Sequence, residues 1–139
     1  MGDYIYLIAP IFGWIIAQSI KFVLTLRKDG VTLSDAVQSG GMPSSHAAFM
    51  VALTTVVGLN NGIASVSFGI AFALTCVIIY DSVGVRYTTG QQTIAINKLA
   101  KASNIKISAL GSARGHTIPE AIVGSLVGAL VGFAVYNIL

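Results

Sequence analysis

The chain has 139 residues, 55% of them hydrophobic and only 9% charged, with a mean hydropathy of +0.82; an ordinary soluble domain carries about 25% charged residues. The apolar residues are gathered into long runs, which excludes a water-soluble globule and points to helices that span a bilayer. The net charge of +3 and isoelectric point near 9.2 come from basic residues in the loops between those runs. That placement fits membrane topology or an anionic phosphate and argues against a nucleic-acid partner. Cys76 is the single cysteine, so an intramolecular disulfide, a zinc ribbon and a CxxC redox site are all excluded.

In chain order, the first run extends from Tyr4 to Leu26, with Tyr4, Tyr6 and Trp14 as interface aromatics and Lys21 near its end. Asp3 precedes it without a basic segment and no small-residue cleavage site follows, so the run reads as a retained helix. A polar stretch from Arg27 leads to Gly40-Gly41-Met42-Pro43-Ser44-Ser45-His46 and then to a short second run, Ala47 to Leu59. Its helix must begin at or before His46 to approach the ~20 residues of a crossing. Asn60-Asn61-Gly62 signals a tight turn and predicts a hairpin with the third run, Ile63 to Val85, which Asp81 interrupts near its end. The segment Arg86 to Gly115 predicts an interfacial helix followed by a loop. The last run, Ile118 to Leu139, carries Gly124, Gly128 and Gly132 at four-residue spacing, a face that lets helices approach closely.

The expected fold is all-α: an integral membrane helical bundle of about four transmembrane helices plus an interfacial loop or helix, with residues 1–139 as one membrane domain. The glycine face packs either within the chain or against a second copy, and a homo-oligomer, a dimer, is expected. Four spans place Arg27, Lys28, Arg86, Lys98, Lys101, Lys106 and Arg114 on one side, which the positive-inside rule makes cytoplasmic. The termini and the Asn60-Asn61-Gly62 turn then face outward, in a bacterial-type plasma membrane.

The residues with chemistry fall on that same side. Pro43-Ser44-Ser45-His46 joins a glycine loop to a helix N-terminus, where free N–H groups, the helix dipole and two hydroxyls suit a phosphate; Ser44 or Ser45 also suits a plain helix cap. Gly115-His116-Thr117-Ile118-Pro119-Glu120 opens the last helix, and its His-to-Glu spacing of four lets the carboxylate meet the imidazole. Glu120 can thereby orient a nucleophilic His116, while Thr117-x-x-Glu120 also forms a capping box. Asp81 near the end of a span is costly and marks a functional site by default, or else pairs with Arg86 or Lys21. Arg86 offers a planar fork for phosphate, and Gln91, Gln92 and Asn97 add neutral polar groups.

These residues resemble the divergent branch of the type 2 phosphatidic acid phosphatases, within the superfamily of lipid phosphatases and vanadium haloperoxidases. The resemblance rests on Gly40-Gly41-Met42-Pro43-Ser44-Ser45-His46, on Tyr80-Asp81-x-x-Gly84-Val85-Arg86 and on Gly115-His116-x-x-x-Glu120, and runs over essentially the whole chain. The superfamily's Pro-Ser-Gly-His stands here as Pro43-Ser44-Ser45-His46. Its Ser-Arg-x5-His-x3-Asp maps in part onto Arg86 and His116-x3-Glu120, with a long insertion between them and no serine before Arg86. The leading Lys-x6-Arg-Pro finds only Lys21 with Arg27 or Lys28.

The resemblance implies a membrane phosphatase acting on a lipid phosphate or pyrophosphate at the cytoplasmic surface. In it His116 forms a phosphohistidine, Glu120 replaces the aspartate, His46 protonates the leaving oxygen, Lys21, Ser44, Ser45 and Arg86 hold phosphate oxygens, and Asp81 completes the catalytic set. That scheme uses no metal and no cofactor. Two other readings stand beside it: a Mg²⁺-dependent lipid pyrophosphatase or CDP-alcohol transferase-like enzyme that uses Asp81, Glu120, Asn97 and the histidines as ligands, and a non-catalytic lipid-phosphate binding or transport protein.

Overall fold

The computed structural model describes residues 4–27, 41–105 and 115–139. Asp3, Lys28, Gly40, Lys106 and Arg114, named above, lie outside the described residues. Among the described residues the elements are helices: α1 (Ile5–Leu26), α2 (Ser45–Asn61), α3 (Val66–Val83), α4 (Val85–Ala102) and α5 (Ile118–Ile138). The protein is an all-helical membrane bundle. α1, the α3–α4 stretch (Val66–Ala102) and α5 are long and apolar enough to cross a membrane. α2, with 17 residues, is the short central helix against which α1, α3 and α5 all pack.

Small residues set this arrangement. A Cβ on Gly124 would lie 2.3 Å from the Ser44 carbonyl oxygen, one on Gly128 2.4 Å from that of Ala48, and one on Gly132 2.8 Å from that of Ala52. Each step of four along α5 meets a step of four along α2, so the two helices run parallel and in register. The glycine face is therefore filled by α2 of the same chain, and of the two packings expected for it the internal one is realised. On the other flank, a Cβ on Gly13 of α1 would lie 2.8 Å from the Ala48 oxygen. Lipid tails are as apolar as leucine, so close van der Waals approach of this kind is a main source of helix association in a bilayer.

The expected hairpin forms. Gly62 adopts a positive φ of 82° at the end of α2, a conformation that glycine reaches without strain, and the Ser65 side chain caps α3 by accepting from the Phe68 N–H. Within the hairpin, Thr54 Oγ1 and Thr75 Oγ1 are 2.7 Å apart and each hydroxyl also reaches a carbonyl of the opposite helix, Ala71 and Met50 respectively. At the far end Tyr6 ties α1 to the turn through Asn60 and Asn61. α4 follows α3 after a break at Gly84, and Gly90 is its one buried residue among those described.

Replacing Gly128 by alanine should cost about 1–3 kcal/mol, because its methyl group meets backbone that cannot move without shifting a helix. Gly69 faces open space, so Gly69→Ala should be neutral or stabilising by up to about 1 kcal/mol. Reversible unfolding of the purified protein in mixed micelles measures both.

Candidate functional site

The parallel pairing of α2 with α5 brings two helix N-termini side by side, and both histidines of the chain sit at them. Partial positive charge accumulates at each N-terminus from the aligned peptide dipoles. Ser44 caps α2, its hydroxyl accepting from the Ala47 N–H at 3.3 Å, and the Ser44 N–H donates to the Glu120 carbonyl at 3.0 Å. Ser44 and Ser45 are both buried. At α5 the Glu120 carboxylate accepts from the Thr117 N–H at 3.0 Å, within a capping box. Both capping roles foreseen for these residues are thus realised, and the same atoms remain part of the polar site.

His116 lies just before α5 and is only 2% exposed. Its Nδ1 is 3.3 Å from Glu120 Oε2, the contact that the four-residue spacing predicts. Its backbone N–H donates to the Ser82 carbonyl at 2.9 Å, an acceptor in the last turn of α3 just before the break at Gly84. Gly115 makes this approach possible: a Cβ there would lie 2.2 Å from the backbone nitrogen of Tyr87, closer than any side chain tolerates. The residues before α5 are thereby pressed onto the α3–α4 junction. Gly41, at φ 87°, fits its turn against the stem of Lys21, whose Cδ is 3.6 Å from where a Cβ would stand.

The His46 and His116 rings are 5.8 Å apart, centroid to centroid, edge to face at 62°. Lys21 is buried at 5% exposure and close enough for its charge to act on both imidazoles and on Glu120. Asp81 and Arg86 stand at the rim, their charged atoms 3.9 Å apart with side chains 48% and 39% exposed, and the charges of both reach His46. The structure therefore gathers Lys21, Ser44, Ser45, His46, His116 and Glu120 at one end of the bundle, with Asp81 and Arg86 beside them. Gln91 and Gln92 are exposed on α4, and Asn97 lies about three turns beyond Arg86 on the same helix. Among the described residues, no three His, Cys, Asp or Glu side chains gather as a metal site.

Burial holds the His116 imidazole below its ordinary pKa, and the Lys21 charge adds to that effect; the hydrogen bond and charge of Glu120 and the Gly41 carbonyl oppose it. His116 is therefore poised as the neutral ring near neutral pH, the form with a free lone pair. The Ser82 carbonyl had no signal in the residue types, because a backbone acceptor leaves none. Gly115 was visible in the sequence beside His116, but the approach it permits depends on tertiary packing.

Helices apolar and long enough to span a bilayer, with a buried, histidine-centred polar cluster at one end of the bundle, define the class: a helical membrane protein. A model of the Divergent PAP2 family matches residues 3–131, and the chain belongs to that family. It is 32% identical, over 140 residues, to "Uncharacterized membrane protein YuiD" of Bacillus subtilis (strain 168), with 90% of this chain and 87% of the relative covered. No solved structure matches the chain.

Because the folded state holds His116 neutral while the unfolded chain protonates it at the ordinary histidine pKa, stability is lost as pH falls through the window between those two values. The thermal midpoint should fall across that window in the native chain and fall less in His116→Gln. Thermal unfolding in micelles at a series of pH values reads the difference.

Proposed function

We propose that this protein is a membrane phosphatase that hydrolyses a lipid phosphate or pyrophosphate at the cytoplasmic face through a phosphohistidine on His116. The observation that carries the reading is the buried His116–Glu120 pair, set 5.8 Å from the second histidine where two helix N-termini converge. Membership of the family supports it. The basic residues Arg27, Arg86, Lys98 and Lys101 support a cytoplasmic orientation by the positive-inside rule.

In the first step the neutral imidazole of His116 attacks phosphorus with its Nε2 lone pair while Glu120 stabilises the charge that develops on the ring, acting at Nδ1. The bond from phosphorus to the leaving oxygen breaks, and His46 gives that oxygen its proton. Lys21, Arg86, Ser44, Ser45 and the N–H groups at the start of α2 hold the phosphoryl oxygens, a preorganised positive field matched to the transition state. Arg86 reaches the phosphate by leaving Asp81, an exposed partner worth little to either charge, and Asp81 keeps a negative charge near His46, the acid. Water then attacks the phosphohistidine, His46 takes one of its protons, and inorganic phosphate departs from a regenerated His116.

Purified protein should release phosphate from lipid mono- or pyrophosphates with chelator present, and His116→Ala should reduce that release at least about a thousandfold, as loss of a covalent nucleophile does. Release that requires added Mg²⁺ contradicts the scheme in favour of a metal-dependent enzyme, and lipid binding without release contradicts it in favour of a binding or transport protein. Glu120→Gln removes the group that raises the His116 pKa, so the acidic limb of the pH–rate profile should move to lower pH while the maximal rate falls.

A further inference from the structure

Two buried polar atoms in the described residues have no hydrogen-bond partner: His46 Nδ1 and Gln18 Oε1. Native proteins leave few such atoms unpaired, because each forfeits its hydration without replacement. The helices put these two on the same side of the bundle. Trp14 of α1 lines a cavity of about 350 Å³ together with His46, Phe49 and Met50 of α2 and Ile78 of α3. Gln18 follows Trp14 by four residues, one turn nearer the site on the same strip of α1. α1 and α2 are antiparallel, with Gly13 set against Ala48 and Lys21 against Gly41. Gln18 therefore comes level with Ser44 to His46.

We propose that Gln18 is the positioning residue of His46: its carboxamide oxygen accepts the Nδ1–H of the His46 ring and so leaves Nε2 as the nitrogen that carries and returns the catalytic proton. The proposal rests on the phosphatase reading, in which His46 is the acid. A carboxamide turns freely about its last torsion and offers an acceptor without adding charge. In the imidazolium both ring nitrogens donate: Nδ1–H to Gln18, and Nε2–H to the leaving oxygen. When Nε2 has lost its proton, the Nδ1–H bond persists and fixes the tautomer, so water can be deprotonated at Nε2 in the second half of the reaction. Gln18 thus acts for His46 as Glu120 acts for His116, with a neutral group in place of a charged one. The other groups whose charges reach His46 are Lys21 of α1, Asp81 of α3, Arg86 of α4 and His116 before α5; none of them changes in the variants below.

The test is nitrogen-15 NMR of histidine-labelled full-length protein in lipid nanodiscs, comparing the native chain with Gln18→Leu and Gln18→Glu and assigning His46 through His46→Asn. The native ring should show the Nδ1–H tautomer. Its titration midpoint should drop by about one unit in Gln18→Leu, the difference between a hydrogen bond to the charged ring and the same bond to the neutral ring, and rise in Gln18→Glu. The His116 resonance serves as the check that each variant is folded. In phosphate-release assays the basic limb of the pH–rate profile should shift in the same directions, with the acidic limb unmoved. An Nε2–H tautomer, or one midpoint shared by all three chains, overturns the proposal. If the midpoints shift but the native chain releases no phosphate, the pairing stands and the phosphatase reading falls; if phosphate is released and the midpoints coincide, the pairing alone falls.

Discussion

Everything at the polar end of this protein depends on three glycines of α5 seating on the backbone of α2. Gly124, Gly128 and Gly132 lie against Ser44, Ala48 and Ala52 at distances that no side chain admits, and this contact fixes both the direction and the register of the two helices. Hairpins place neighbouring helices antiparallel; α2 and α5 are far apart in sequence and lie parallel. Their N-termini consequently open onto the same volume, and two peptide dipoles add there rather than cancel. His46 and His116 then come within 5.8 Å of each other although 70 residues separate them in the chain.

Several groups that the proposed reaction uses also hold the structure at this end. Ser44 caps α2 and gives its N–H to α5, and Glu120 closes the first turn of α5 while holding His116. Replacing either residue therefore removes a cap, worth about 1 kcal/mol, as well as its part in the proposed reaction. Burial of Lys21 and His116 is costly in a membrane protein unless partners offset it, and Glu120 lies within reach of both. Asp81 and Arg86 are different: at 3.9 Å and half exposed, they form a loose pair at the rim that can open without disturbing the bundle.

Much of this was legible in the sequence because hydropathy reports burial in a bilayer directly. The long apolar runs became α1, α3 and α5, the turn at Asn60-Asn61-Gly62 closed the hairpin, and α2 began just ahead of His46 as its short run required. The spacing from His116 to Glu120 became a contact because four residues bring side chains onto one helical face. What the sequence left open was the partner of the glycine face, since a small-residue face serves a neighbour in the same chain as well as one in a second copy. The hold of Ser82 on His116 was invisible, being a backbone contact created by the break at Gly84 and the close approach at Gly115. The pairing of Asp81 with Arg86 was one of two ion pairs the sequence allowed, and only the folded geometry decides between Arg86 and Lys21.

The most direct test of the central claim is to quench the purified protein during turnover of a phosphorus-32-labelled lipid phosphate and ask where the label resides. A phosphohistidine account predicts label bound to the protein that is lost in acid, survives alkali, maps to the peptide containing His116 and is absent from His116→Ala. Continuous phosphate release with no label on the protein at any quench time, or label on any other residue, would contradict it.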